Sequence, residues 1–189
     1  MTRADTPAVT VSPLSLADTD DLFVFEAENR QYFESLGIAR LPAYYVRDWF
    51  EDLTEELLEE QAAGETALFV VRDTAQTLVG RVNLVDVNPD PVPTADLGYR
   101  IGQAHQGRGY ATQAVAAVLQ IARDDLGLVR VTAEVLPDNV ASRRVLEKNA
   151  FQYVGRGRIA VGGTMRDGDL FSKDLLPKDL LPKDPLSAP

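Results

Sequence analysis

Cysteine is absent from the 189-residue chain and histidine occurs once. The first absence excludes disulfides, thiolate metal ligands and cysteine nucleophiles together. The two together leave too few soft ligands for a transition-metal site, so no metal is expected. No apolar run reaches the roughly 20 residues that a bilayer span requires, and the opening "MTRADTPAVT" lacks the apolar stretch of a signal peptide. A cytoplasmic location with no membrane partner is the expectation. Positive charge is also short: 19 Lys and Arg stand against 29 Asp and Glu, a net charge of −10. That balance repels phosphate backbones and speaks against nucleic acid as a partner.

What the chain does have is an ordinary globular composition, 45% hydrophobic and 25% charged, in a length that suits one domain with or without a tail. The charge is uneven. Residues 1–93 carry 6 Lys and Arg against 18 Asp and Glu, whereas residues 94–189 carry 13 against 11. An anionic ligand is better tolerated in the second half. The acidic first half could attract a cation, although a solvated helix face accounts for most of those carboxylates.

Patterning gives a coarse layout. "AVTVSPLS" reads as a strand, and "ADTDDLFVFEAEN" as a helix that opens on capping residues. Residues 43–63 read as one longer helix, with Phe50, Leu53 and Leu57 on one face and Glu51, Glu55 and Glu59 on another. "TALFVVRD" and "TLVGRVNLVDVN" form a hairpin across "TAQ", and "TADLGYRI" is a further strand. Residues 109–126 form a helix with Ala111, Val115, Val118 and Ala122 on its buried stripe. "LVRVTAEV" is a strand, "DNVASRRVLEKNAF" a helix behind Pro137, and "QYVGRGRIAV" with "TMRDGDLFS" a last hairpin across "GG". The strand–helix–strand unit over residues 94–135 is a right-handed crossover with parallel strands, whereas the hairpins are antiparallel. The fold class is therefore α/β (α+β), a mixed sheet in a layered domain. One domain over residues 1–172 is expected. The "KDLLP" repeats of residues 173–189 read as an extended or disordered tail, because their prolines interrupt any helix.

Between "GYRI" and the alanine-rich helix lies "GQAHQGRG". A helix N-terminus presents unpaired N–H groups and partial positive charge, and glycines before it admit an anion close to the backbone. The combination is a phosphate cradle. The dinucleotide fingerprint fails at its third position, Thr112, and a P-loop would need Gly-Lys-Ser/Thr where the chain has "GYA". Gln/Arg-x-x-Gly-x-Gly/Ala fits at Gln106, Gly109 and Ala111.

That pattern resembles the coenzyme A loop of the GNAT superfamily of acetyl-CoA-dependent N-acetyltransferases, and the element order matches the superfamily fold, a splayed mixed sheet with helices on both faces. Gly98-Tyr99, the loop, Asn139-x-x-Ser142, Glu147-Lys148 before Phe151, and the closing "GGTMRDGDLFS" are similar to the RimJ/RimL-like branch. The likeness runs over residues 8–172 and is most specific after residue 66. It implies acetyl-CoA as co-substrate and an amine as acceptor, and it admits a homodimer. It also implies that backbone N–H groups of Gln106, Gly107, Arg108, Gly109, Tyr110 and Ala111 hold the pyrophosphate, with the Arg108 charge helping or merely solvated. Ile101 and Gly102 would pair with the pantetheine arm where the sheet splays and polarise the acetyl carbonyl. Asn139 and Ser142 would meet the coenzyme near the thioester, although either also serves as a local helix cap.

Many members carry a tyrosine as general acid where this chain has Leu146; Ser142, one turn earlier, is the matching polar residue. Loss of the acid need not be fatal, since a thiol of pKa ~8.5 is a tolerable leaving group. Asp96 and Glu134, on the strands beside the splay, are the base candidates, with ion-paired or solvated carboxylates as the plain alternative. His105 is set aside as a loop surface residue. Trp49 is the one acceptor-wall residue named among the aromatics of the first helices. At pH 7 an α-amine of pKa ~7.7–8.0 is roughly one-tenth neutral and a lysine amine at ~10.4 only about 0.04%. A site without a strong base therefore suits a protein N-terminus, as in ribosomal-protein acetylation. A small amine (amino acid, polyamine or antibiotic) is the alternative, and a non-catalytic acetyl-CoA-binding module the third. Thiol release with and without acceptors separates the three.

Overall fold

The run "ALFVVR" is buried along nearly its whole length, which is what a strand covered on both faces requires. In the computed structural model, which describes residues 9–89, 91–161 and 164–176, this run is β2 (Ala67–Arg72) of a seven-stranded sheet. The other strands are β1 (Thr10–Pro13), β3 (Leu78–Asn88), β4 (Thr94–Ile101), β5 (Arg130–Val135), β6 (Gln152–Val161) and β7 (Thr164–Asp174). They lie in the order β1-β2-β3-β4-β5-β7-β6. The helices are α1 (Thr19–Glu28), α2 (Arg30–Ser35), α3 (Arg47–Ala63), α4 (Tyr110–Asp124) and α5 (Val140–Lys148).

Every neighbouring pair is antiparallel except β4 and β5, which α4 connects as the expected parallel crossover. Leu22 and Phe25 of α1 and Phe50 of α3 pack with Leu68 and Val70 on one face of the sheet. Ala114, Val115 and Val118 of α4 and Leu146 of α5 pack with Phe69, Val71, Val82 and Leu84 on the other. Helices on both faces of a mixed sheet are thus confirmed. Burying each such Val, Leu or Phe contributes roughly 1.5–3 kcal/mol, so the two layers carry most of the stability.

The chain departs from expectation in three places. The single helix read over residues 43–63 is a 3-10 turn, Pro42–Tyr45, followed by α3, because Val46 between them is extended at φ −100° and ψ 127°. Pro42 starts the turn, and Tyr44 then packs edge-on against Phe50 with ring centroids 5.2 Å apart, so the aromatic contact bends the chain where periodicity alone would run on. The six-residue α2 is too short to show a period and was not foreseen. Strand β7 extends past Ser172, with Lys173 and Asp174 opposite Val131 and Arg130, and the repeats beyond residue 176 lie outside the described residues.

Candidate active site

β4 and β5 are paired at only three positions, ending at Asp96 opposite Thr132. Beyond them β4 stays with β3 as far as Ile101, and β5 stays with β7 as far as Val135, so the two strands diverge. The Gly102 N–H donates to Val79 O at 2.9 Å and the Gly102 carbonyl accepts from His105 N–H at 3.0 Å. By alternation along β4, the backbone groups of Leu97, Tyr99 and Ile101 are the ones that face the gap. Gly102 is therefore committed to the sheet and the adjoining turn. Ile101 O accepts from Gln106 Nε2 at 2.6 Å, which ties the loop to the strand edge.

The loop itself has the shape its glycines require. Gly107 and Gly109 sit at φ 75° and 78°, where L side chains are strained, and an added Cβ meets nothing within 4 Å at Gly107 and only Gln113 Nε2 at 3.8 Å at Gly109. Among the described residues, the N–H groups of residues 107–112 donate to no protein acceptor; that of Gln113 is the first to find one, Gly109 O at 3.1 Å. Unpaired donors over open space at the start of a fifteen-residue helix form an anion cradle. The residues fit a pyrophosphate, because a Cβ at either glycine would occupy the space that the anion needs. Arg108 is exposed and makes no ion pair among the described residues. The Tyr110 side chain is in the core, leaving only its N–H to the cradle, and Ala111 borders the cleft. His105, set aside as a surface residue, is instead half-buried, with its ring stacked on Tyr110 at 6.3 Å and Nδ1 buried without a partner among the described residues.

Two connected spaces open at the gap. One, about 110 Å³, lies between Ile101, Gln106, Ala111 and Ser142; the other, about 310 Å³, lies between Gly98, Glu134, Ser142 and Leu146. Both are bordered by Tyr99, Asn139 and Ser142. Asn139 caps α5, its Oδ1 accepting from Ser142 N–H at 3.0 Å. Ser142 Oγ is 2.8 Å from the Tyr99 hydroxyl, which also donates to Ser142 O at 3.1 Å. Burial pushes the Tyr99 phenol up to about 12, so it keeps its proton at neutral pH. Leu146 is fully buried.

Val131, Ala133 and Val135 face the α4 layer, so Thr132 and Glu134 face the α1 side, as does Asp96. Asp96 accepts a hydrogen bond from the Thr132 hydroxyl. Glu134 borders the larger space, and its pKa is raised, first by burial and second by the neighbouring Asp96 charge. Asp96, Glu134 and Ser142 thus gather around one gap. Trp49 does not: it is 38% exposed, packs on Tyr44 at 6.1 Å, and borders neither space. Tyr99 and Arg40, which do, were not named as site residues from sequence. The alternation that places Tyr99 toward the gap was available; the position of Arg40 depends on the unforeseen break before α3.

A cradle for a pyrophosphate leading into a slot between parting strands is the architecture of an acyl-CoA-dependent transferase. The chain matches the acetyltransferase (GNAT) domain family over residues 8–152 and belongs to that family; it is an acetyl-CoA-dependent N-acetyltransferase. It is 34% identical over 162 residues to the probable N-acetyltransferase YjcK of Bacillus subtilis (strain 168), covering 83% of this chain and 88% of that protein. Its fold is similar to that of ribosomal-protein-S5-alanine acetyltransferase from Vibrio fischeri, with TM-score 0.83, 22% identity, and 92% and 96% of the two chains covered. It is also similar to a chimera of the Vibrio cholerae spermidine N-acetyltransferase SpeG, with TM-score 0.71, 21% identity, and 88% and 95% covered.

Proposed function

We propose that the enzyme acetylates α-amines, with a protein N-terminus of the ribosomal-protein type as acceptor, in the manner of the RimJ/RimL-like branch. The observation that carries this is the disposition of one carboxylate of raised pKa, Glu134, opposite the Ser142–Tyr99 pair around a single gap. A carboxylate whose pKa is raised accepts a proton more readily than an ordinary one. It suits an α-amine, roughly a tenth of which is already neutral at pH 7.

Acetyl-CoA brings the acetyl thioester. The free N–H groups of residues 107–112 hold its pyrophosphate, and the Leu97, Tyr99 and Ile101 backbone offers the strand edge to its arm. Glu134 takes the proton of the incoming amine, and Asp96, held by Thr132, tunes Glu134 through its charge. On the opposite side the Tyr99 proton has two acceptors, Ser142 O and Ser142 Oγ. When it is on Oγ, the Ser142 proton is free to point into the cleft toward a leaving thiolate. Gly98, with open space where a Cβ would be, leaves room for the acceptor. A cytoplasmic location goes with this reading, and a homodimer is compatible with it.

A small amine is the second reading, favoured by the likeness to a spermidine enzyme. A thiol-release assay over N-terminal peptides and small amines, with mass spectrometry of the product, tests both. Preferred turnover of peptides modified at the α-nitrogen supports the first, preferred turnover of a diamine the second, and thioester hydrolysis without acceptor neither.

A further inference from the structure

Arg81 of β3 and Arg100 of β4 are register partners in the sheet. Like charges placed directly opposite each other destabilise a ladder. Both guanidiniums reach the same carboxylate, Glu26 of α1: Arg81 Nε lies 3.2 Å from Oε1 and Arg100 Nη1 2.9 Å from Oε2. The three side chains are 11%, 9% and 1% exposed. A buried cluster of two cations and one anion keeps an uncompensated positive charge, and packing alone does not call for it, since apolar residues of similar volume commonly serve as well or better. Burial and the Arg81 charge depress Arg100 to about 10, and Arg40 adds to the depression.

Arg40 lies over the Tyr44 ring at 5.2 Å and makes no ion pair among the described residues. It borders the acetyl-transfer space and also a second cavity of about 220 Å³, which Arg81, Tyr44 and Thr66 line as well. The Tyr44 hydroxyl lies against Arg81, and the buried Thr66 hydroxyl makes no hydrogen bond among the described residues. Among the described residues, Glu60 is the one carboxylate on that cavity's wall, and it is exposed. Residues 1–93 hold six Lys and Arg against 18 Asp and Glu, and two of those six gather here.

We propose that Arg40 and Arg81, with Arg100 sharing the Glu26 carboxylate that Arg81 also meets, form an anion subsite for the acceptor, taking a carboxylate or phosphate carried by the molecule whose amine is acetylated. The proposal rests on the acceptor reading above and narrows it to amines that bear a negative charge near the nitrogen. Guanidinium recognises both anions through paired N–H donors. The same excess of positive charge rejects polyamines.

The test compares kcat/KM of the full chain for acceptors matched except in charge: Ala-Asp-amide, Ala-Asn-amide, Ala-phosphoserine-amide, Ala-Ser-amide and spermidine. The anionic member of each pair should lead by roughly tenfold or more, the worth of one charged hydrogen bond. Whichever anion leads identifies the source. In Arg40→Gln the ratio should fall toward one, and Arg40→Lys should restore part of it; Arg40 is exposed and makes no ion pair among the described residues, so either change leaves the core in place. A second readout does not need turnover. With coenzyme A saturating the loop, inorganic phosphate should raise the melting temperature of the parent and not that of Arg40→Gln. Equal use of neutral and anionic acceptors, preference for spermidine, or phosphate binding that is absent or indifferent to Arg40 would overturn the subsite. If no acceptor releases thiol, the α-amine reading fails separately, and the phosphate measurement decides the subsite.

Discussion

The Tyr99 hydroxyl lies 2.8 Å from Ser142 Oγ, joining β4 to α5 on the far side of the gap from Glu134. Two hydroxyls in series can pass a proton that neither the buried Leu146 nor the backbone can supply. Proton transfer from a positioned group is typically worth ~10²–10⁴-fold. Ser142→Ala should therefore lower kcat well beyond tenfold with coenzyme affinity nearly unchanged. Tyr99→Phe should lower it less, because Ser142 keeps its own proton. Melting temperatures taken on the same variants check for collapse of the α5 cap. A Ser142→Ala rate within about twofold of the parent, ~0.4 kcal/mol, would remove Ser142 from the reaction.

Gly107 and Gly109 hold φ of 75° and 78°. Gly109→Ala puts a methyl over the cradle and strains the backbone by roughly 1–2 kcal/mol. Acetyl-CoA affinity should fall at least tenfold by calorimetry, while the melting temperature drops by only a few degrees. An unchanged affinity in a folded variant would contradict the pyrophosphate assignment.

Much of this was legible beforehand, and the reasons are local. β4 was bounded correctly at Thr94 and Ile101 because its alternation is clean and a glycine follows. The shape of the loop before α4 was legible because positive φ leaves a glycine signature that few other demands imitate. The Arg40–Arg81–Arg100 cluster was not, since its members lie on three separate segments and meet only through strand register and the turn before α3. Trp49 misled because an aromatic on a helix face carries no mark of which neighbour it meets, here Tyr44.

As the proposed base, Glu134 should set the pH dependence. Its pKa is raised by burial and then by Asp96, so the acid limb of log kcat/KM should lie above the ordinary glutamate range. Asp96→Asn removes a like charge, which lowers the Glu134 pKa and moves that limb to lower pH. Glu134→Gln should abolish the limb. A raised carboxyl favours the folded state below its unfolded pKa, and that contribution is lost as pH rises through the folded value. Removing the charge should therefore cost no stability at neutral pH. A limb that stays in place in Asp96→Asn would disconnect the two carboxylates.

The end of the last strand bounds what the chemistry needs. Leu175 N–H donates to Val129 O at 2.8 Å, so a truncation that includes it should lower the melting temperature. Deleting residues 177–189 should instead leave acetyl-CoA turnover within about threefold, ~0.65 kcal/mol in the barrier. A large loss in a folded deletion variant would mean that the repeats complete the site or an interface between copies.

Glu26 offers the sharpest stability test. Its carboxylate is 1% exposed and is the shared partner of Arg81 and Arg100. Glu26→Gln leaves two guanidiniums opposite each other in β3 and β4 with no counter-charge, and removing one partner of a buried ion pair typically costs 3–5 kcal/mol. For a chain of this size each kcal/mol is worth about 2–4 °C, so the melting temperature should fall by roughly 6–20 °C. The double variant Glu26→Gln with Arg81→Met removes one cation along with the anion and should recover part of the loss. Calorimetric melting of the parent, the single and the double variant decides the matter. A single variant as stable as the parent would show that water or the cavity already screens the two arginines, and that Glu26 is not what holds them together.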